Sequence, residues 1–82
     1  MVIVEFDSIF EKKITRIKDS SLKDKLKKQI KKIVDNPKIG KPMKHERKNT
    51  REIYIRPFRL SYAFIELEDV LVFLDFYHKD KQ

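Results

Sequence analysis

The stretch FRLSYAFIELEDVLVFLDFYH, residues 58–78, decides the fold. In its first part Phe58, Leu60, Tyr62 and Phe64 alternate with Arg59, Ser61 and Ala63, the two-residue period of a β-strand. Val70 to Leu74 is nearly continuous apolar sequence, as expected of a strand covered on both faces. Between the two, Glu66 to Asp69 supplies a polar turn. Just upstream, Glu52 to Arg56 reads as a further strand, and Pro57, which has no N–H for a ladder, marks a break or bulge before Phe58.

Further upstream the period changes. From Lys38 to Thr50 there is no regular pattern, only basic residues, Gly40 and a proline, so this segment is expected to be a loop. Leu22, Leu26, Ile30, Ile33 and Val34 recur at helical spacing, with Ser21 and Asp24 as a capping pair and Asn36-Pro37 as the stop. Phe10, Ile14 and Ile17 mark an earlier helix that Ser8 and Glu11 open as a capping box. Asp19-Ser20-Ser21 separates the two helices, which suggests a helical hairpin. Val2 to Phe6 is a short β-branched and apolar strand. The order βααβββ predicts an α+β fold, an antiparallel-type sheet with the helical hairpin packed on one face. Residues 1–82 are too few for a second domain, so one small domain is expected.

Composition narrows the chemistry. Without cysteine there is neither a disulfide framework nor a thiolate zinc site, and two histidines make a poor metal cage. No cofactor or metal is expected. No apolar run approaches the ~20 residues of a membrane span, and no basic region precedes an apolar leader, so a cytoplasmic protein with no membrane partner is expected. The net charge of +7 is unevenly spread. Residues 11–51 carry sixteen Lys/Arg against five Asp/Glu, whereas residues 52–82 carry four against six. Such a basic field suits a nucleic acid, an acidic protein or an anionic surface.

Two groups of cations are candidates. Lys23, Lys25, Lys27, Lys28, Lys31 and Lys32 cover the outer face of the second helix. They serve equally as a solvated face or as an electrostatic dock for phosphates. Lys38, Lys41, Lys44, Arg47, Lys48, Arg51, Arg56 and Arg59 form a denser set, opposed only by Glu46 and Glu52. Like charges so close together repel, and a polyanion would relieve that repulsion. Arg59 lies inside an otherwise apolar strand, so it either emerges on the open face of the sheet or pairs with Glu52 or Glu66. Tyr77-His78-Lys79 follows the last apolar strand, and a histidine there can act as general acid or base or be inert, as can His45.

In order and spacing, Gly40-Lys41-Pro42, Met43-Lys44-His45, Phe58-Arg59-Leu60-Ser61-Tyr62-Ala63 and the closing Tyr77-His78 resemble the YoeB branch of RelE-like toxins, in the RelE/ParE toxin superfamily. The resemblance spans essentially the whole chain and implies the RelE-like βααβββ fold. It also implies the toxin of a type II toxin–antitoxin system, an endoribonuclease (mRNA interferase) that cuts messenger RNA on the ribosome and so inhibits translation.

By that resemblance the ribose 2′-hydroxyl attacks the adjacent phosphate without a metal, leaving a cyclic phosphate and a free 5′-hydroxyl. Arg59 would then be the cation that stabilises the phosphorane and His78 the acid, with Tyr77 beside them. Lys41, Lys44, His45, Arg47, Lys48, Arg51 and Arg56 would hold the RNA. Two features depart from the pattern: the glutamate base that follows G-K-P in YoeB-like proteins is missing, and Lys79 replaces the closing aromatic residue. Glu46 is the available substitute for the base, and Lys79 can stand in for an arginine of the RelE branch.

The partners implied are the ribosome, mRNA and a cognate acidic antitoxin whose helix lies along an apolar groove. The alternatives are a non-enzymatic ParE-like toxin that blocks a topoisomerase and a decayed relative that only binds antitoxin or RNA.

Overall fold

In the computed structural model, which describes residues 2–43 and 48–81, the chain runs β1 (Ile3–Phe6), α1 (Ser8–Thr15), α2 (Ser20–Asp35), β2 (Lys41–Pro42), β3 (Thr50–Ile55), β4 (Phe58–Ile65) and β5 (Val70–His78). Short 3-10 turns follow β4 at Glu66–Glu68 and β5 at Lys79–Lys81. The strands form one sheet in the order β1-β5-β4-β3-β2. This is the expected α+β class with two helices on one face, but the sheet is mixed. Strands β2 to β5 pair antiparallel, whereas β1 lies parallel to β5, with Ile3 opposite Val70 and Phe6 opposite Phe73.

Local details differ from the sequence reading in physically clear ways. Both helices are capped by aspartate one or two residues before the serines. Asp7 Oδ1 accepts from Ile9 N at 2.9 Å, and Asp19 Oδ1 accepts from Ser21 N at 2.9 Å. An aspartate in extended backbone adds a negative charge at the positive end of the helix dipole, which serine cannot. Part of the segment read as a loop forms the edge strand β2, with Lys41 opposite Glu52 and Pro42 opposite Arg51. A proline is tolerated there because its missing N–H faces no further strand. Arg56 and Pro57 form the two-residue turn of the β3–β4 hairpin, with Ile55 paired to Phe58. The turn between β4 and β5 ends on Asp69, whose φ of 54° and ψ of 44° lie in the left-handed region that Asp tolerates better than most residues.

The core lies between the helices and one face of the sheet. Phe10 of α1 and Leu26 and Ile33 of α2 meet Ile55, Leu60, Tyr62, Leu71, Phe73 and Phe76, all buried. Phe73 is the hub, its ring 5.5 Å from those of Phe6 and Phe10 and 6.2 Å from that of Tyr62. Contrary to the expectation for Val70 to Leu74, β5 is strongly covered on one face only: Leu71 and Phe73 are buried while Val70, Val72 and Leu74 are half-buried. A bulge explains the continuous apolar run. Ser61 pairs with Asp75 and Tyr62 with Phe73, which leaves Leu74 without an opposite residue. Past it the inward positions switch from odd to even, so Phe76 is buried next.

Gly40 shows why the chain needs a glycine before Lys41-Pro42. Its N–H donates to Tyr62 Oη at 2.8 Å, and that hydroxyl donates to Pro37 O at 2.8 Å. A Cβ on Gly40 would lie 2.5 Å from Tyr62 Oη and 2.8 Å from its ring. Tyr62 is fully buried and has no room to retreat. Gly40→Ala is therefore expected to destabilise the protein by about 1–3 kcal/mol, measured by urea unfolding. A variant as stable as the parent would mean that Tyr62 repacks freely.

Candidate functional site

With both helices on one face, the alternation of the strands leaves a second set of side chains on the other. Register places Tyr54 of β3 opposite Arg59 of β4, and Arg59 opposite Tyr77 of β5. One pair further along, Glu52 lies opposite Ser61, and Lys41 of β2 lies opposite Glu52. The open face thus brings Lys41, Glu52, Tyr54, Arg59, Ser61 and Tyr77 together. None of these side chains is needed to fill the core.

Arg59 is the centre of this group. Its Nη2 donates to Tyr54 Oη at 2.5 Å, and its guanidinium carbon lies 4.8 Å from the centroid of that ring. Its Nη1 is 3.7 Å from Glu52 Oε2, and the Tyr77 hydroxyl lies near enough to be coupled to its charge. The sequence offered two outcomes for Arg59, exposure on the open face or pairing with a carboxylate, and the structure combines them, with Glu52 rather than Glu66 as the carboxylate. The hydrogen bond to Tyr54 is the main cause raising the Arg59 pKa, and the Glu52 charge adds to it against partial burial, so the guanidinium stays charged. Burial raises the Tyr77 pKa, reinforced by Glu52 and opposed by Arg59, so the phenol keeps its proton at neutral pH.

A cleft of about 470 Å³ adjoins this group, lined by Tyr54, Arg56, Pro57 and Lys79. Lys79 N donates to Pro57 O at 3.1 Å, which ties the segment after β5 to the hairpin turn. Tyr54 is half exposed, an aromatic surface with cations at its rim. This combination suits an unstacked base beside its phosphates.

The other predicted residues are placed differently. His78 pairs with Phe58, so it sits on the helix side of the sheet, away from Arg59. Its ring meets Phe58 edge-on at 5.5 Å, and its Nδ1 accepts from Asp80 N at 3.2 Å. The bulge in β5 sets the alternation that turns Tyr77, not His78, towards Arg59. Arg51 also departs from its predicted place in an RNA-binding set. Opposite Tyr62 on the helix side, its Nη1 donates to Gly40 O at 2.7 Å and Lys38 O at 3.1 Å, so it anchors the segment before β2. Lys48 is exposed in the turn before β3, and Lys41 and Arg56 are exposed. Lys44, His45, Glu46 and Arg47 lie outside the described residues.

Lys25, Lys28, Lys31 and Lys32 of α2 are exposed on its outer side, because Leu26 and Ile33 turn inwards, while Lys23 and Lys27 flank the inner side. They belong to a different surface from the Arg59 group. Sequence reasoning missed Tyr54 and treated Glu52 only as a counter-charge. The missing signal was the hairpin register: once Arg56-Pro57 is a two-residue turn, Tyr54 must face Arg59 and Glu52 must follow on the same side.

A second cleft, of about 480 Å³, runs between the helices and β1 with Phe6, Ile14, Leu26 and Ile30 as its apolar wall and Lys23, Lys27 and Glu11 at its edge. Among the described residues no three His, Cys, Asp or Glu side chains converge as a metal cage, and no helix is long and apolar enough to cross a membrane.

Residues 4–82 match the family model described as the ParE toxin of the type II toxin–antitoxin system parDE. No curated protein matches the chain. Among solved structures, a chain of the intact E. coli RelBE toxin–antitoxin complex superposes with a TM-score of 0.81 at 20% identity, covering 95% of this chain and 96% of that one. A chain of the RelBE2 toxin–antitoxin complex of Mycobacterium tuberculosis does so with a TM-score of 0.76 at 19% identity, covering 95% of this chain and 98% of that one. YafQ from E. coli strain BL21(DE3) gives a TM-score of 0.76 at 20% identity, covering 99% and 97%. At such identities the likeness is one of fold.

Proposed function

We propose, from the premise that this chain belongs to the ParE toxin family of type II toxin–antitoxin systems, that it arrests translation by cutting messenger RNA held in the ribosome. The observation that carries this reading is Arg59, kept charged on the open sheet face between two tyrosine hydroxyls. Cleavage by the neighbouring 2′-hydroxyl concentrates negative charge on a five-coordinate phosphorus, and a fixed guanidinium fork matches that charge bidentately. Lys41, Arg56 and Lys79 would hold the flanking phosphates, Tyr54 would stack a base, and Lys48 would add to the basic surface; Lys44, His45 and Arg47 are proposed as RNA contacts from the sequence alone. His78, expected as the acid, pairs with Phe58 on the helix side, and in this reading Tyr77, opposite Arg59, takes that place.

The antitoxin is proposed to lay an amphipathic, acidic helix into the cleft lined by Phe6, Ile14, Leu26 and Ile30. Lys23 and Lys27 at its edge would steer that partner. Raising salt is expected to slow association of the two proteins several-fold while dissociation changes little, measured by stopped-flow mixing at several ionic strengths. Association independent of salt would argue against a charge-guided partner.

A second reading is favoured by the family description itself and by the separation of His78 from Arg59: a non-enzymatic toxin that blocks a topoisomerase. Two assays on the same purified protein separate the readings. The nuclease reading expects shortened mRNA in a purified translation system and an undisturbed DNA supercoiling reaction. Intact mRNA with inhibited supercoiling would overturn it in favour of the second.

A further inference from the structure

We propose that Glu52 is the general base and Tyr77 the general acid of the cleavage, one on each side of Arg59; the assignment rests on the nuclease reading above. The sheet itself supplies the spacing. Glu52 is on β3 and Tyr77 on β5, the two strands that flank the strand carrying Arg59. Tyr77 stands directly opposite Arg59 and Glu52 lies diagonally from it, opposite Ser61, so their backbones are roughly 11–12 Å apart, two steps across the sheet and two residues along it. Both side chains extend over the open face towards Arg59, and an in-line displacement needs its two proton-transfer groups on opposite sides of phosphorus, where the attacking and leaving oxygens stand. A phosphate over Arg59 would therefore present one such oxygen to each flanking strand.

The state of Glu52 supports its part. Its side chain is only 18% exposed, and among the described residues no group donates a hydrogen bond to the buried Oε2, which has just the Arg59 guanidinium at 3.7 Å. A buried carboxylate oxygen without a donor is costly in a merely structural role. With the guanidinium turned to a substrate phosphate, that oxygen is left to accept the proton of a 2′-hydroxyl. Among the described residues, the charged and titratable groups that face it from neighbouring strands are Arg59 of β4, Lys41 of β2 and Tyr77 of β5. Tyr77, held protonated by burial, has a proton to give.

The step balances without a further reagent. The 2′-hydroxyl proton passes to the Glu52 carboxylate as the 2′-oxygen bonds to phosphorus. The bond from phosphorus to the 5′-oxygen then breaks, its electron pair staying on that oxygen, which takes the Tyr77 proton. A 2′,3′-cyclic phosphate and a 5′-hydroxyl result, and exchange with water returns the proton from Glu52 to the medium and restores the one on Tyr77.

The test is single-turnover cleavage of mRNA on programmed ribosomes by the parent protein, Glu52→Gln, Glu52→Asp and Tyr77→Phe, from mildly acidic to mildly alkaline pH. Glu52→Gln is expected to cut about 10²–10³-fold more slowly and to depart from the parent's pH profile while binding ribosomes normally. Glu52→Asp, which keeps the carboxylate, should retain that profile and part of the rate. An mRNA with sulfur in place of the bridging 5′-oxygen needs no acid, so it should restore Tyr77→Phe and leave Glu52→Gln slow. Glu52→Gln cleaving within a few-fold of the parent, or slowly but with the parent's pH profile, would overturn the base. Failure of the sulfur substrate to restore Tyr77→Phe would overturn the acid. A parent protein that cuts nothing would remove the nuclease reading and this assignment with it, an outcome distinct from loss in one variant alone.

Discussion

Arg59→Ala is expected to lower mRNA cleavage by about 10²–10³-fold, equivalent to roughly 3–4 kcal/mol of transition-state stabilisation. The size follows from where the charge sits. The Arg59 side chain is 21% exposed and held by Tyr54, Glu52 and Tyr77, so its guanidinium is oriented before any substrate arrives. A preoriented charge in a partly dry site is worth far more against a developing phosphorane than a mobile lysine on the surface. Arg59→Lys is expected to recover only part of the loss, because an ammonium keeps the charge but not the planar fork. The fold should survive, since Arg59 fills no part of the core, and circular dichroism with a thermal melt checks that the loss is chemical. An Arg59→Ala protein with undiminished cleavage would remove the open face from consideration.

Phe73→Ala is expected to have the largest effect on stability, about 3–5 kcal/mol. The ring is fully buried, stacks on Phe6 and Phe10, and touches the Tyr62 ring that supports Gly40. For a domain of this size total stability is on the order of 4–12 kcal/mol, so the variant should be largely unfolded or nearly so at physiological temperature. Bound antitoxin should recover some of the loss, because a partner that binds only the folded chain stabilises it by mass action. Urea unfolding with and without the partner measures both effects. A loss below about 1 kcal/mol would mean that the helices collapse into the gap.

The physical difference between what could and could not be read from the sequence lies in parity and register. The helices announce themselves through Leu26, Ile30 and Ile33, and β4 through Phe58, Leu60 and Tyr62, because the spacing of apolar residues is itself the packing. Arg59 was legible as the one charge inside an otherwise apolar strand. The face that His78 takes was not legible, because one extra residue in β5, at Leu74, reverses which side chains face the helices, and a bulge leaves no mark in an apolar run. Glu52 and Tyr54 were legible only after Arg56-Pro57 is taken as a hairpin turn rather than a break, since that choice fixes every cross-strand pair of β3 and β4. The capping aspartates could have been found: Asp7 and Asp19 are stronger caps than the serines that follow them. Arg51 could not. Its role depends on where the Lys38 and Gly40 carbonyls end up, which no local pattern encodes.

The most direct measurement is primer extension on a defined mRNA in a purified translation system, comparing the parent protein with Arg59→Ala. Mechanism and site predict cuts within codons occupying the ribosomal A site, made by the parent and absent with Arg59→Ala. Uncut mRNA in the presence of folded protein bound to working ribosomes would contradict the nuclease, and with it the role assigned to the open face of the sheet.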